Sequence, residues 1–249
     1  MAMVMRPFEE FRQPNRLTIL WLSSDAVEKQ TPASWCKLWN SCPRRYSLDG
    51  AANRLRVLCE TNRTLAPTVI SGDFDSITPK SLEFFKQSAL IIKTDDQDHT
   101  DLSKALRLIA DAPESNNGEA RSILLLGGLH GRFDHTLGTL HSVLTFVCEK
   151  RLAVYVIDET NFLTVLPHGA TEITVERSRL TGKCGLLPLC QRETHVSTRG
   201  FRWNLANQTL EYGGLISSCN ELEDEHLRVE TTTPLVFSCE LKSADSFLD

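Results

Sequence analysis

Val69-Ile70-Ser71-Gly72-Asp73-Phe74-Asp75-Ser76-Ile77 begins as an apolar run, stops at a glycine and then sets two carboxylates one residue apart. The run reads as a strand over 67–71, with the acidic pair just past its end. If the chain stays extended there, Asp73 and Asp75 point the same way and Phe74 points opposite. The competing reading is an ordinary acidic turn, since Gly-Asp is common turn chemistry. A second acidic stretch, Thr94-Asp95-Asp96-Gln97-Asp98-His99-Thr100-Asp101, follows shortly. Crowded carboxylates repel one another unless a counter-charge joins them. A hard cation with oxygen ligands supplies it, and Mg²⁺ combines one or two carboxylates with water and phosphate oxygens.

Working outward, Leu17 to Leu22, Arg45 to Leu48, Ala89 to Lys93, Ser122 to Leu126 and Ala153 to Ile157 read as further strands. Helical periodicity covers residues 35–39, Ala51 to Cys59, about His99 to Ala110 and Phe133 to Glu149, the last with Leu137, Leu140, Leu144 and Val147 inward. Thr78-Pro79 is a helix start, with threonine at the cap and proline at the first position. Asp98 is a candidate cap for the helix after the second acidic stretch, with Asp101 completing a capping box. Strand and helix alternate, which predicts a parallel sheet covered by helices. Each acidic or glycine-rich element follows a strand, where open α/β sheets bind ligands.

After about residue 160 the periodicity changes. Residues 162–166 and 172–176 flank Pro167-His168-Gly169 and predict a hairpin. Short strands follow at 185–189, 200–205, 208–212, 227–232 and 235–241, which predicts an antiparallel β-sandwich. The fold class expected is therefore an N-terminal parallel-sheet α/β domain, residues 1–160, followed by a C-terminal antiparallel β-sandwich, residues 161–249. Residues 113–118 read as a polar surface loop.

With 249 residues and a net charge of −5, the chain has room for a large core and does not favour a broad nucleic-acid or acidic-membrane surface. No signal peptide is evident in residues 1–10, and the apolar runs are too short to span a bilayer. Eight scattered cysteines form no C-x-x-C pair, which points to free thiols.

Three further features carry chemistry. Lys104 lies one turn after Asp101, so the two could hold a phosphate oxygen and a metal, or form a plain surface ion pair. Gly127-Gly128-Leu129-His130-Gly131-Arg132-Phe133-Asp134 joins a strand to a helix. Its glycines let backbone N–H groups approach phosphate, and Arg132 has a fork for phosphate oxygens, though tight turns also need glycine. His130 has no metal-ligand partner at clear spacing. In Phe201-Arg202-Trp203-Asn204, alternation puts Trp203 on the face of Phe201; the indole is then a sandwich-core residue or an exposed ring that stacks on a flat, cationic ligand.

Taken together, Asp49-Gly50-Ala51-Ala52-Asn53, the Asp73/Asp75 segment, the second acidic stretch with Lys104, the glycine segment, Trp203-Asn204-Leu205 and Ser217-Ser218-Cys219-Asn220 resemble the thiamin pyrophosphokinases of eukaryotic type. The resemblance runs from about residue 45 to 241. It implies a homodimer with active sites at the subunit interface, ATP and thiamin as substrates, Mg²⁺ as cofactor, and transfer of pyrophosphate to the thiamin hydroxyl with release of AMP. It also implies a cytoplasmic enzyme with no nucleic-acid or membrane partner. By that resemblance Asp49, Asp73, Asp75 and Asp101 surround the metal. Asn53, Gln97, Asp98, Lys104, Gly128, Arg132 and Asp134 hold the nucleotide or the hydroxyl. Trp203, Ser217 and Asn220 contact thiamin. Either Asp73 or Asp101 could accept the alcohol proton. Ala51 stands where the family usually has glycine, and Cys219 where it usually has serine. Two rival expectations remain: a haloacid-dehalogenase-like phosphatase with Asp73 as nucleophile, and an inactive thiamin- or nucleotide-binding module.

Overall fold

The computed structural model describes residues 2–22, 31–96, 98–112 and 122–246. In chain order the first half comprises β1 (Met3–Met5), α1 (Pro7–Phe11), β2 (Leu17–Trp21), α2 (Ala33–Ser41), β3 (Arg44–Leu48), α3 (Ala51–Glu60), β4 (Val69–Gly72), α4 (Pro79–Phe85), β5 (Leu90–Lys93), α5 (Asp101–Asp111), β6 (Ser122–Leu126), α6 (Phe133–Lys150) and β7 (Val154–Ile157). The second half comprises β8 (Asn161–Leu166), β9 (Gly169–Thr174), β10 (Leu180–Leu187), β11 (Thr194–Arg199), β12 (Gln208–Leu210), β13 (Ser217–Glu221), β14 (His226–Thr231) and β15 (Leu235–Leu241).

Six parallel strands lie in the order β5-β4-β3-β2-β6-β7. Their apolar side chains alternate between two buried layers. On β2, Leu17, Ile19 and Trp21 face α2, α3 and α4, while Leu20 packs with α5 and α6. Strands buried on both faces are mostly apolar, and β2, β6 and β7 are, with Thr18 and Ser122 the buried polar residues among them. Trp21 anchors the first layer, with Trp35 and Trp39 edge-on at 5.7 and 5.4 Å. The strand order reverses between β2 and β6, and the crevice at such a switch point is where α/β sheets take ligands.

β8 pairs antiparallel with β7 and continues the same sheet through β15, β10 and β13. A second sheet, β1-β9-β14-β11-β12, packs on it, with Ile173, Val196, Leu227 and Val229 meeting Leu186, Leu235 and Phe237. The parallel-sheet α/β region and the antiparallel sandwich are thus both present, joined by one continuous sheet.

Several expectations change in detail. β8 and β9 are not a hairpin: they lie in different sheets, and the turn between them passes the chain from one layer to the other. Residues 200–205 are not a strand. β11 ends at Arg199, and the chain turns at Gly200 with φ +94°, where a Cβ would also lie 2.9 Å from His226 O. On α6 the buried face is Val143, Phe146 and Val147, whereas Leu137 is exposed. The cap of α5 is Thr100, whose hydroxyl accepts from Ser103 N, so Asp98 lies outside the helix. Residues 113–118 lie outside the described residues.

Candidate active site

Asp49 follows β3, Asp73 follows β4 and Asp101 opens α5. One carboxylate oxygen from each lies within 4.8 Å of the others, the one such acidic trio among the described residues. Local structure brings them there. Asp49 is buried and accepts from Ser76 N and Ile77 N, both at 3.0 Å, which pulls the chain after β4 back over β3. Asn53, one turn into α3, holds the same loop: its amide donates to Ser76 O at 2.9 Å and its carbonyl accepts from Thr78 N at 2.9 Å. Gly72 is required by close approach, since a Cβ there would meet Asp49 Cβ at 2.7 Å and Asp101 Oδ2 at 3.2 Å.

The extended geometry expected for 73–75 is absent. Phe74 has φ +67° and Asp73 Oδ1 accepts from Asp75 N at 3.2 Å, an Asx turn. Asp75 is therefore outside the trio, exposed, and accepts from Ser76 Oγ at 2.6 Å. Burial pushes the Asp49 carboxyl up; the nearby Asp75 adds to this and the two backbone N–H groups oppose it. Three crowded oxygens, one of them desolvated, fit a hard divalent cation.

Lys104 is buried, and each of its three N–H bonds has a partner: Asp101 Oδ1 at 2.7 Å, Asp96 O at 2.9 Å and Thr94 O at 3.2 Å. It is not a plain surface pair. It fixes Asp101 against the loop after β5, and as placed it has no donor left for phosphate. Asp98 is exposed, its N–H bonded to Asp96 Oδ1. Gln97 lies outside the described residues.

The glycine segment lies across the sheet at the end of β6. Gly127, Gly128 and Gly131 all have φ between +84° and +93°. A Cβ on Gly128 would strike Leu22 at 2.5 Å, so the backbone there runs bare. Arg132 grips Asp134 with both arms of its fork, at 3.1 and 2.5 Å, at the exposed start of α6. That ion pair holds the Asp134 carboxyl below its ordinary range, and the arrangement leaves the Arg132 fork occupied.

In the second half Trp203 is 52% exposed while Phe201 is fully buried, so the two do not share a face. The Arg202 guanidinium lies 4.9 Å above the indole. Asn220 is buried and clasps the Trp203 backbone, accepting from its N–H at 3.2 Å and donating to its carbonyl at 2.9 Å. It also donates to Ser217 Oγ at 3.3 Å. Asn220 thus presents Trp203, a role that the residue type alone does not signal. Ala51 takes its place in the first turn of α3, buried, and Cys219 is exposed on β13. All eight cysteines are free thiols.

An acidic trio and a bare glycine turn at the carboxyl ends of parallel strands, with a sandwich attached, define an α/β phosphotransferase class with a second ligand-binding region. Family models agree: residues 35–156 match "Thiamin pyrophosphokinase, catalytic domain" and residues 170–236 match "Thiamin pyrophosphokinase, vitamin B1 binding domain". Thiamin pyrophosphokinase 1 of Caenorhabditis elegans is 34% identical over 98% of this chain and 97% of its own. Thiamine pyrophosphokinase 1 of Oryza sativa subsp. japonica is 34% identical over 83% of this chain and 82% of its own. Among solved structures, yeast thiamin pyrophosphokinase superposes with a TM-score of 0.83 at 24% identity, covering 100% of this chain and 94% of that one. The chain belongs to the thiamin pyrophosphokinase family. Neither model points to a haloacid-dehalogenase phosphatase.

Proposed function

We propose that the chain transfers the pyrophosphoryl group of ATP to the hydroxyl of thiamin, giving thiamin diphosphate and AMP. The observation that carries this is the convergence of Asp49, Asp73 and Asp101 from three elements in a chain whose halves match a catalytic and a vitamin B1 binding domain. Mg²⁺ held by that trio would neutralise the triphosphate and set it in line with the alcohol. The thiamin oxygen attacks the β-phosphorus as its bond to the α-phosphate oxygen breaks, and AMP leaves. Asp73 or Asp101 takes the alcohol proton, and Asp49, held by two backbone N–H groups, fixes the loop that carries Asp73. Asp75, Asp98, Gln97, Asp134 and the glycine turn complete the nucleotide side, with Arg132 free to turn from Asp134 to phosphate.

Residues 161–249, with Trp203 and Ser217, form the thiamin side, and residues 1–160 the nucleotide side. The functional unit is a homodimer that joins the two sides across subunits. Phe133 (75% exposed) and Leu137 (46%) stand one turn apart on α6, an apolar stripe suited to a second copy. Among the described residues no helix is long and apolar enough to cross a membrane, and the net charge of −5 does not favour a nucleic-acid partner; the reading places the reaction in the cytoplasm. The test is incubation with ATP, Mg²⁺ and thiamin. AMP and thiamin diphosphate in equal amounts are expected; ADP with thiamin monophosphate would overturn the reading, and tight binding without turnover would mark an inactive module.

A further inference from the structure

His130 sits inside the glycine turn, between Gly128 and Gly131. Its neighbour is Asp158, the residue after β7, which the parallel β6–β7 pairing carries to the same end of the sheet; Gly127 N donates to Ile157 O at 2.8 Å. Asp158 is 1% exposed, and its Oδ2 lies 3.4 Å from His130 Nδ1. The carboxylate is held rigidly. Its Oδ1 accepts from Thr160 N at 2.8 Å and Asn161 N at 2.6 Å, and Asn161 Nδ2 donates to Oδ2 at 3.0 Å.

The Nδ1 atom is fully covered and makes no well-aligned hydrogen bond, so Asp158 is the polar group it faces. The side chain as a whole keeps 29% of its surface. Nδ1 contributes none of that, so the exposed part of the side chain is other than the nitrogen that faces Asp158. The imidazole therefore stands with Nδ1 against a buried, immobile carboxylate and the side chain partly open, within a turn whose backbone is bare.

We propose that His130 is an anion-binding residue of the nucleotide site, donating from Nε2 to a phosphate oxygen, and that Asp158 is its positioning residue. The inference rests on the nucleotide reading above and adds a contact to it. With Asp158 on one side and phosphate on the other, the imidazole would bridge the two, its Nε2 donating to the phosphate oxygen. Closing the 3.4 Å gap to a proper hydrogen bond would then accompany nucleotide binding. The preceding side chain, Leu129, packs with the α5–α6 layer.

The experiment measures KM for ATP and for thiamin, with Mg²⁺ saturating, in His130→Ala, Asp158→Asn and the double variant. His130→Ala should raise the ATP KM about tenfold, the loss of one charge-assisted hydrogen bond, with the thiamin KM unchanged. Asp158→Asn should raise the ATP KM less, and should add nothing in the His130→Ala background, because its effect passes through the imidazole. Additive effects would remove Asp158 from the proposal. An unchanged ATP KM in His130→Ala, with wild-type turnover and melting temperature, would overturn it outright while leaving the activity reading intact. A wild-type chain that neither turns over nor binds ATP sinks both.

Discussion

Asp49 and Asp73 contribute to one site through different bonds, and their variants should separate accordingly. Asp73 makes a single backbone contact, to Asp75 N, which an asparagine carbonyl can keep. Asp73→Asn should therefore hold its melting temperature within a few degrees and lose about 10²-fold or more in kcat, the scale of one lost charge-stabilising group. A melt and one assay decide it; near-normal turnover at saturating Mg²⁺ would remove Asp73 from the site. Trp203 is exposed and so carries little of the core. Its alanine variant should melt normally and raise the thiamin KM about tenfold, as expected for a stacked cation. Asn220→Ala should also raise that KM, and should additionally cost about 1–3 kcal/mol, because it leaves the part-buried N–H and carbonyl of Trp203 without their partner. Equal stability of the two variants would count against Asn220 as the clasp. Asp73 and Asp101 stood out in acidic stretches, whereas Asp49 entered only through the family resemblance. The Asx turn at Phe74 was not, since a left-handed residue between two aspartates obeys no periodicity.

At the scale of elements, helix ends show where local and distant signals divide. α4 carries its own cap: Thr78 Oγ1 accepts from Ser81 N, as Thr-Pro implied. α2 has none of its own, for Pro32 holds the cap position. Its Ser34 N donates instead to Asp245 Oδ1 at 2.8 Å, and Ser34 Oγ to Ala244 O at 2.8 Å. Asp245→Ala should cost about 1 kcal/mol and lower the melting temperature by roughly 2–4 °C, with KM values untouched. No shift in a calorimetric scan would reduce the contact to an ornament of the surface. No reading of the sequence near α2 could find this cap, because its partner lies at the other end of the chain. The β8–β9 hairpin failed for the same reason. Alternation fixes which face of a strand is buried, but a Pro-His-Gly turn serves a change of sheet as well as a reversal within one.

For the whole molecule, the parallel sheet and the sandwich were legible because periodicity changes once, near residue 160; their fusion into one sheet was not. Two measurements act at this scale. Glu176 is partly buried, which raises its carboxyl pKa, but Arg12 and Arg179 outweigh this and hold it below 4.5. A depressed carboxylate stabilises the fold above that value, and the contribution is lost as pH falls through the lower folded value. Wild type should therefore exceed Glu176→Gln in stability at pH 6, and the gap should close in acid; denaturant curves at both pH values check it, and a constant gap would refute it. The second is subunit complementation. Mixing Asp73→Asn with Trp203→Ala chains should restore some activity if each site draws on two subunits, and no recovery despite demonstrated exchange would count against a shared site.

The strand β1 pairs with β9 through Met3 and Thr171, Val4 and Glu172, and Met5 and Ile173. β1 thus finds its partner more than 160 residues further along the chain. During synthesis it waits unpaired while the parallel strands between find their order. The second sheet is completed by β1, and the Asp245 cap ties α2 to a residue far along the chain in the same way. Translation, which runs one way, leaves both joins to be made late. A substitution or deletion in β1 is accordingly a perturbation of the sandwich, though β1 lies far from it in sequence.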